Sequence, residues 1–197
     1  MNKKSYVGYI VAAVLAVIVL YSIVTFNRLV KKEELVKKQW NEVNSAYQRR
    51  LDLIPNLVNV VKGQADIEQT VLTQITEARA KASSITATTG ELTAENFNKQ
   101  TAAQNDLAAA TSRLLVTVEK YPALKGTEAF AGLQAQLEGT ERRIKVSRKD
   151  FNAAVADYNS DVKSFPVNVI GGVLGFRGKD GFTADAGADK FIEVKFN

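Results

Sequence analysis

Carboxylates and guanidinium groups carry most of the chemistry available to this chain, because the sequence contains no histidine and no cysteine. Without imidazole the commonest general base and metal ligand is missing, and without thiolates there are no disulfides or cysteine nucleophiles. Paired metal sites in helical bundles use Glu-x-x-His, which this chain cannot supply. The sequence therefore predicts a non-enzymatic protein with no cofactor, no metal and no small-molecule substrate.

Glutamates are the remaining candidates for acid–base or metal chemistry, and we interpret them as ordinary surface charges. A carboxylate pair for glycoside cleavage must face across a cleft, and helical spacing gives no sign of one. The residues concerned are Glu33, Glu34, Glu77, Glu138 and Glu141.

A polar cluster interrupts the apolar residues between positions 49 and 58. Arg49, Arg50 and Asp52 flank leucines, so some of these charges should lie at the boundary of the core, where a buried charge needs a partner. The favoured interpretation is an ion pair or helix cap that fixes the register of the helices. The alternative is a polar patch, formed by Arg49, Arg50 and Asn56, that docks a protein partner.

Arg148, Asn152 and Asn159 interrupt the apolar residues of a later helix in the same way. Amide side chains at such positions form hydrogen bonds with neighbouring helices. We expect that structural role for them and no binding role.

The first element that positions these residues is an uncharged segment at residues 6–26. Its length of about 20 residues suits a helix that crosses a bilayer, and aromatic and basic residues flank it, as is typical of membrane interfaces. A cleaved secretory signal has a related pattern, but this core is longer and no small-x-small site closes it convincingly. We predict an uncleaved, single-pass anchor in the plasma (inner) membrane.

Charge bears on orientation and on partners. Basic residues after the anchor, beginning with Arg28, outnumber Lys3 and Lys4 before it, and the positive-inside rule then predicts a cytoplasmic C-terminal domain. The formal net charge is +5, but the basic residues alternate with acidic ones instead of forming a stripe. Nucleic-acid binding is therefore not predicted.

Beyond the anchor, apolar residues recur every three or four positions in four stretches, at residues 36–61, 67–82, 97–118 and 130–162. This spacing is typical of amphipathic helices.

Local signals predict where these helices begin and end. The run from Ser83 to Thr93, which contains Gly90, suits a loop, and Thr93 with Asn96 suits the start of the next helix. Tyr121-Pro122 ends that helix, and Thr127 suits the N-cap of the last one.

The fold class predicted is all-α, with a transmembrane helix followed by an antiparallel up-and-down four-helix bundle. In that arrangement the chain reverses near Asp52 to Pro55, with Pro55 in the first turn of a new helix. The alternative is three long helices, the first kinked at Pro55. The predicted divisions are a basic N-terminus (1–5), the anchor (6–26), the bundle (27–165) and a Gly-rich C-terminal segment with a tail (166–197).

The C-terminal region carries two further expectations. Residues 167–176 are apolar and rich in glycine but too short to cross a bilayer, so they should fold back over the open end of the bundle, with contact to lipid or a partner as an alternative. Residues 191–196 alternate apolar and polar side chains, which suits a docking tail.

Three blocks of sequence resemble the LemA family. The first is Phe26-Asn27-Arg28-Leu29-Val30 with Trp40; the second is Arg49 to Val58 with Val61-Lys62-Gly63, Glu68 and Glu77-Ala78-Arg79-Ala80. The third runs through Leu137-Glu138-Gly139-Thr140-Glu141, Ile144, Arg148, Phe151-Asn152, Val155, Tyr158-Asn159, Phe165-Pro166 and Gly175-Phe176. Family members often carry a histidine before the glutamate matched by Glu68, and this chain has Asp66-Ile67 there.

The resemblance implies an all-α bundle behind one membrane helix and supplies no agreed biochemical activity. The function predicted is a membrane-anchored, non-catalytic scaffold or accessory module at the bacterial cell envelope. Its expected partners are the membrane and an unidentified protein, with homo-oligomers as a further option. The alternative is a lipid-binding module that remodels membranes through its basic residues and the Gly-rich segment.

Overall fold

The structure, a computed structural model, describes residues 3–64, 68–88 and 93–182. Within these ranges the chain is helical and has no strand, which confirms the all-α class. The helices are α1 (Lys3–Gln64), α2 (Gln69–Thr88), α3 (Ala94–Val118), α4 (Pro122–Lys125), α5 (Glu128–Lys163) and α6 (Val167–Val173). The docking tail predicted at residues 191–196 lies outside the described residues.

α1 is 62 residues long and continues through Pro55, so the predicted reversal at Asp52 to Pro55 is wrong. The alternative, in which the first helix continues past the proline, matches the structure as far as Gln64. There α1 ends, and α2 begins at Gln69.

A specific hydrogen bond accommodates the proline. Pro55 has no N–H, so the backbone carbonyl of Leu51, four residues earlier, lacks its helical partner. Arg79 of α2 donates to that carbonyl through Nε, at 2.9 Å. Because the adjoining Ile54 and Leu57 are buried in the core, their packing also keeps this part of the chain helical.

The loop predicted at Ser83 to Thr93 is wrong as far as Thr88, because α2 continues to that residue. The helix starts and stops predicted at Thr93, Pro122 and Thr127 are confirmed. The Thr93 side chain caps α3 by accepting a hydrogen bond of 3.2 Å from the backbone N–H three residues later. Thr127 caps α5 in the same way, at 3.3 Å. Between them α3 ends at Val118, and Pro122 stands in the first turn of α4, where its missing N–H is not needed.

α1 packs along α5, and α2 packs on both α3 and α1. The side-chain pairs between α1 and α5 run in opposite chain order, because Arg28 pairs with Asp161 and Arg50 with Glu141. α5 therefore returns toward the end of α1 that carries the anchor.

Two apolar clusters fill the interior. The one nearer the anchor contains Trp40, Tyr47, Phe97 and Phe151, from α1, α3 and α5. The second, farther along α1, contains Leu57 and its apolar neighbours from α1 to α5. The site residues described below lie along the first cluster and at its border with the second.

The apolar start of α1 stands apart from this packing. Within the described residues, α1 is the one helix whose length and composition suit a membrane span, and none of its most apolar window, with a mean hydropathy of 2.7, is buried. Packing begins at Thr25, which is 2% exposed, and continues at Leu29.

The Gly-rich C-terminal segment packs beside this transition. α6 contacts α1 and α5, and a Cβ added at Gly171 would lie 3.4 Å from the Leu29 side chain. The rings of Phe26 and Phe176 meet edge to face with centroids 5.7 Å apart. The segment thus covers the anchor end of the helical domain.

Candidate functional site

Arg50 lies inside the helical domain. Its position, three residues after Tyr47 and four before Ile54, places it on the face of α1 that turns toward the core. Its side chain is 3% exposed. We name its contacts with α3 and α5 the Arg50 contact.

The Arg50 contact joins three helices. Nη1 donates to the backbone carbonyl and to the side-chain oxygen of Gln104 in α3, at 3.0 and 3.2 Å. Nη2 forms an ion pair with Glu141 of α5, whose side chain is 49% exposed. The buried cation is thereby paired, and its partner reaches solvent, which lowers the cost of burying the charge.

The other members of the predicted patch face outward. Arg49 is exposed and donates to the side chain of Gln136 at 3.1 Å, and Asn56 is exposed on the same helix. The structure does not bring Arg50 to the surface with them. Docking by Arg49, Arg50 and Asn56 stays a prediction, and Arg50 would support such a surface from inside.

A second set of polar residues holds the C-terminal strap, which we define as residues 177–182. Asn159 of α5 donates to the backbone carbonyl of Lys179 and accepts from its N–H, both at 2.8 Å. Asn152 donates to the carbonyl of Phe182 at 2.9 Å and accepts from its N–H at 2.8 Å. We call this pair of side chains the asparagine clamp.

The spacing of the clamp matches an extended chain. Seven residues of helix rise about 10 Å, and three residues of extended backbone span about the same distance. Each amide presents one donor and one acceptor to the peptide, as a neighbouring strand would. The clamp therefore recognises backbone and requires no particular side chain at the residues it holds.

Two glycines allow the clamp to approach. A Cβ at Gly181 would lie 2.8 Å from Oδ1 of Asn152, and one at Gly178 would lie 3.4 Å from Oδ1 of Asn159. Each glycine directly precedes a clamped residue, so a side chain at Gly181 would displace either the Asn152 amide or the strap and would disrupt the hydrogen bonds between them.

Phe182 anchors the strap among aromatic side chains of α1, α3 and α5. Its ring centroid lies 4.6 Å from that of Phe97, 5.6 Å from that of Phe151 and 6.2 Å from that of Trp40. The guanidinium carbon of Arg148 lies 4.7 Å from the Phe182 centroid, a distance at which a cation is attracted to the ring.

Arg148 is itself fixed by Tyr47 and Asn105. Its Nε donates to the Tyr47 hydroxyl at 3.0 Å, and Nη2 donates to Asn105 at 3.2 Å. Burial raises the pKa of Tyr47, an effect that the charge of Arg148 partly opposes. The hydroxyl is thus neutral near pH 7 and available as an acceptor.

An open cavity of about 380 Å³ lies beside the strap, and Glu33, Phe97, Tyr158 and Lys179 are among its lining residues. Lys179 forms an ion pair with Glu33 at 2.8 Å and lies 5.4 Å from the ring centroid of Tyr158. Burial, with a contribution from Glu33, raises the pKa of Tyr158. These groups hold the strap against α1 and α5.

Sequence reasoning missed the strap. Asn152 and Asn159 bond to its backbone, not to a neighbouring helix, so that expectation is corrected. The signal available was a pair of asparagines two helical turns apart, followed by two glycines three residues apart. Neither the asparagines nor the glycines alone predict this contact, because only the fold brings the strap beside α5.

Comparison with known proteins finds magnetosome proteins that are similar to this chain. The chain is 24% identical over 183 residues to magnetosome proteins MamQ 1 and MamQ 2 of Paramagnetospirillum magneticum (strain ATCC 700264 / AMB-1), covering 83% of this chain and 66% of each relative. It is also 24% identical over 171 residues to magnetosome protein MamQ of Magnetospirillum gryphiswaldense, covering 77% of this chain and 62% of that protein. The chain thus spans slightly less than two thirds of these relatives.

The LemA family pattern matches residues 39–196. The match includes the Arg50 contact, Pro55 with Arg79, the asparagine clamp and the strap. The chain belongs to the LemA family.

Proposed function

We propose that this protein is a membrane-anchored, non-catalytic scaffold or accessory module that presents a helical surface to other proteins at the bacterial cell envelope. One observation carries the proposal: α1 runs without a break from the apolar segment into the core. A docking surface on such a rod is held at a set distance from the bilayer. In this proposal the domain is an antiparallel up-and-down bundle of α1, α2, α3 and α5.

The use of the polar side chains supports a scaffold. Arg50, Arg79 and Asn152 each form hydrogen bonds with other parts of the chain. These contacts stabilise a shape, and the outer faces of the helices are left for association. The named relatives are magnetosome proteins, which agrees with a role in a membrane-bound assembly.

In this proposal the helical domain lies on the cytoplasmic side of the inner membrane. Basic residues after the anchor, such as Lys31 and Lys38, support that orientation through the positive-inside rule. Association with a second copy of the chain is included among the partners.

The docking surface proposed is centred on the exposed Arg49 and Asn56, with Arg50 beneath them. A photo-crosslinking amino acid placed at position 49 or 56 of the full chain, in intact membranes, should capture a reproducible protein neighbour. The matched control is position 149 on α5, where Lys149 is also exposed. Adducts at 49 and 56 that are no more specific than those at 149 would exclude this surface.

A further inference from the structure

The exposed apolar residues of the helical domain gather at one end. Phe165, Val169 and Val173 are 83%, 59% and 85% exposed, and Leu174 is 44% exposed. They lie on α6 and its two flanks, a stretch of only ten residues. Elsewhere in the described part of the domain, large exposed apolar residues such as Val116 and Val146 are isolated, which is normal for a protein surface.

This apolar face lies level with the end of the membrane span. Arg28 pairs with Asp161, and Lys32 pairs with Asp157, so the end of α5 reaches the height of the last residues of the apolar segment. From there α6 packs on Leu29, and the chain after it reaches Phe26 through Phe176. The apolar surface of the anchor therefore continues sideways onto α6.

Charged residues stand at both edges of this face. Lys163 precedes Phe165, and Arg177 follows Phe176, and both are exposed. A short apolar surface with basic residues at its margins suits the boundary between hydrocarbon and headgroups, where long basic side chains reach lipid phosphates while apolar side chains enter the acyl layer.

We propose that α6 is a second membrane contact. Phe165, Val169 and Val173 insert just beneath the lipid headgroups of the leaflet that faces the domain, in the same bilayer that α1 spans. The occupant of this surface is lipid hydrocarbon, because the surface is continuous with the anchor. The contact seats the domain on the bilayer at a point beside α1 and so limits its tilt and its rotation about the anchor. No change in membrane shape is required.

The absence of native cysteine allows a direct test. Single substitutions Val169→Cys, Val173→Cys, Val146→Cys and Ile18→Cys are made in the full chain, labelled with a nitroxide and reconstituted into phosphatidylcholine vesicles containing phosphatidylglycerol. Spin-label power saturation compares collisions with oxygen, which concentrates in lipid, and with a water-soluble nickel complex. Ile18 marks the span, and Val146 marks an exposed valine of α5 distant from the anchor.

The ratio of oxygen to nickel accessibility at 169 and 173 is expected to be several-fold higher than at 146 and lower than at 18. It should persist in vesicles of phosphatidylcholine alone, because the contact is apolar. Ratios at 169 and 173 equal to that at 146 would overturn the proposal. Low accessibility to both reagents would also overturn it, since that result means cover by protein, and a water-like ratio at 18 would remove the span on which it depends.

Discussion

The Arg50 contact and the asparagine clamp are both polar contacts at the border of an apolar core, but they do different work. At the first, a buried cation joins three helices through a carbonyl, an amide oxygen and a carboxylate. At the second, two neutral amides hold one extended segment through its backbone. Loss of a partner is costly for a buried charge, whereas the neutral amides of Asn152 and Asn159 can release the peripheral strap one contact at a time.

The largest expected change in the free energy of unfolding is at the Arg50 contact. Arg50→Ala should lower the free energy of unfolding by about 3 kcal/mol, because it leaves polar groups of α3 unpaired and opens a gap in the core. Denaturant unfolding of the full chain in detergent, followed by circular dichroism, measures this loss. The control Arg49→Ala removes an exposed arginine one residue away and should change stability by less than about 0.5 kcal/mol. Equal losses in both variants would contradict the distinction.

A side chain forced into the clamp should have the next largest effect. Gly181→Ala places a Cβ against Asn152 and should release Phe182, at a cost of about 2 kcal/mol. The matched control, Gly132→Ala, alters a helical glycine of α5 with no neighbour within 4 Å of an added Cβ and should stabilise by about 0.5 kcal/mol. Hydrogen exchange at the Phe182 amide gives the local readout. The two variants should change the free energy of unfolding in opposite directions. A stabilising Gly181→Ala would contradict this, because it would mean that the clamp accommodates a side chain at position 181.

The hydrogen bond from Arg79 to Leu51 should matter only because of Pro55. Arg79→Met should cost about 1.5 kcal/mol, since the Leu51 carbonyl loses the donor that replaces the missing N–H of Pro55. In a Pro55→Ala background the helix supplies its own N–H, and the same substitution should cost clearly less. A double-mutant cycle by denaturant unfolding measures this coupling. Additive effects would mean that Arg79 acts through packing alone.

The smallest effect sharpens the comparison within the clamp. Asn152→Ala should cost about 1 kcal/mol and free Phe182, exposing Trp40, the single tryptophan of the chain. Its fluorescence emission should shift to longer wavelength. Asn159→Ala removes the equivalent bonds at Lys179, which lies farther from Trp40, and should shift the emission less. A larger shift for Asn159→Ala would mean that the contact at Lys179 shields Trp40 more than the contact at Phe182 does.

Much of the local structure could be predicted from the sequence, because Thr93, Thr127 and Pro122 act within a few residues of their own positions. The path of the chain at Pro55 could not, since a proline normally ends a helix and the compensating donor, Arg79, comes from another element. The ion pair favoured for the polar run is present between Arg50 and Glu141. Which of the two neighbouring arginines turns inward depended on the rotation of α1, which a mixed apolar and polar run did not fix.

The C-terminal segment was harder for the same physical reason. Asn152 and Asn159 were recognised as polar interruptions of an apolar face, but their partners are backbone groups twenty or more residues away. A sequence does not show which backbone groups will accept or donate a hydrogen bond. The glycines at positions 178 and 181 are the sequence signal that the strap backbone lies close to the asparagine side chains.

The unbroken α1 has a mechanical consequence. A stiff rod crossing a bilayer leans when the acyl layer becomes thinner than its apolar length. With about 55 Å of the rod beyond the lipid, each degree of lean that the α6 contact permits would carry its far tip sideways by about 1 Å. A change in local lipid composition would in this way move a protein bound near the Gln64 end of α1.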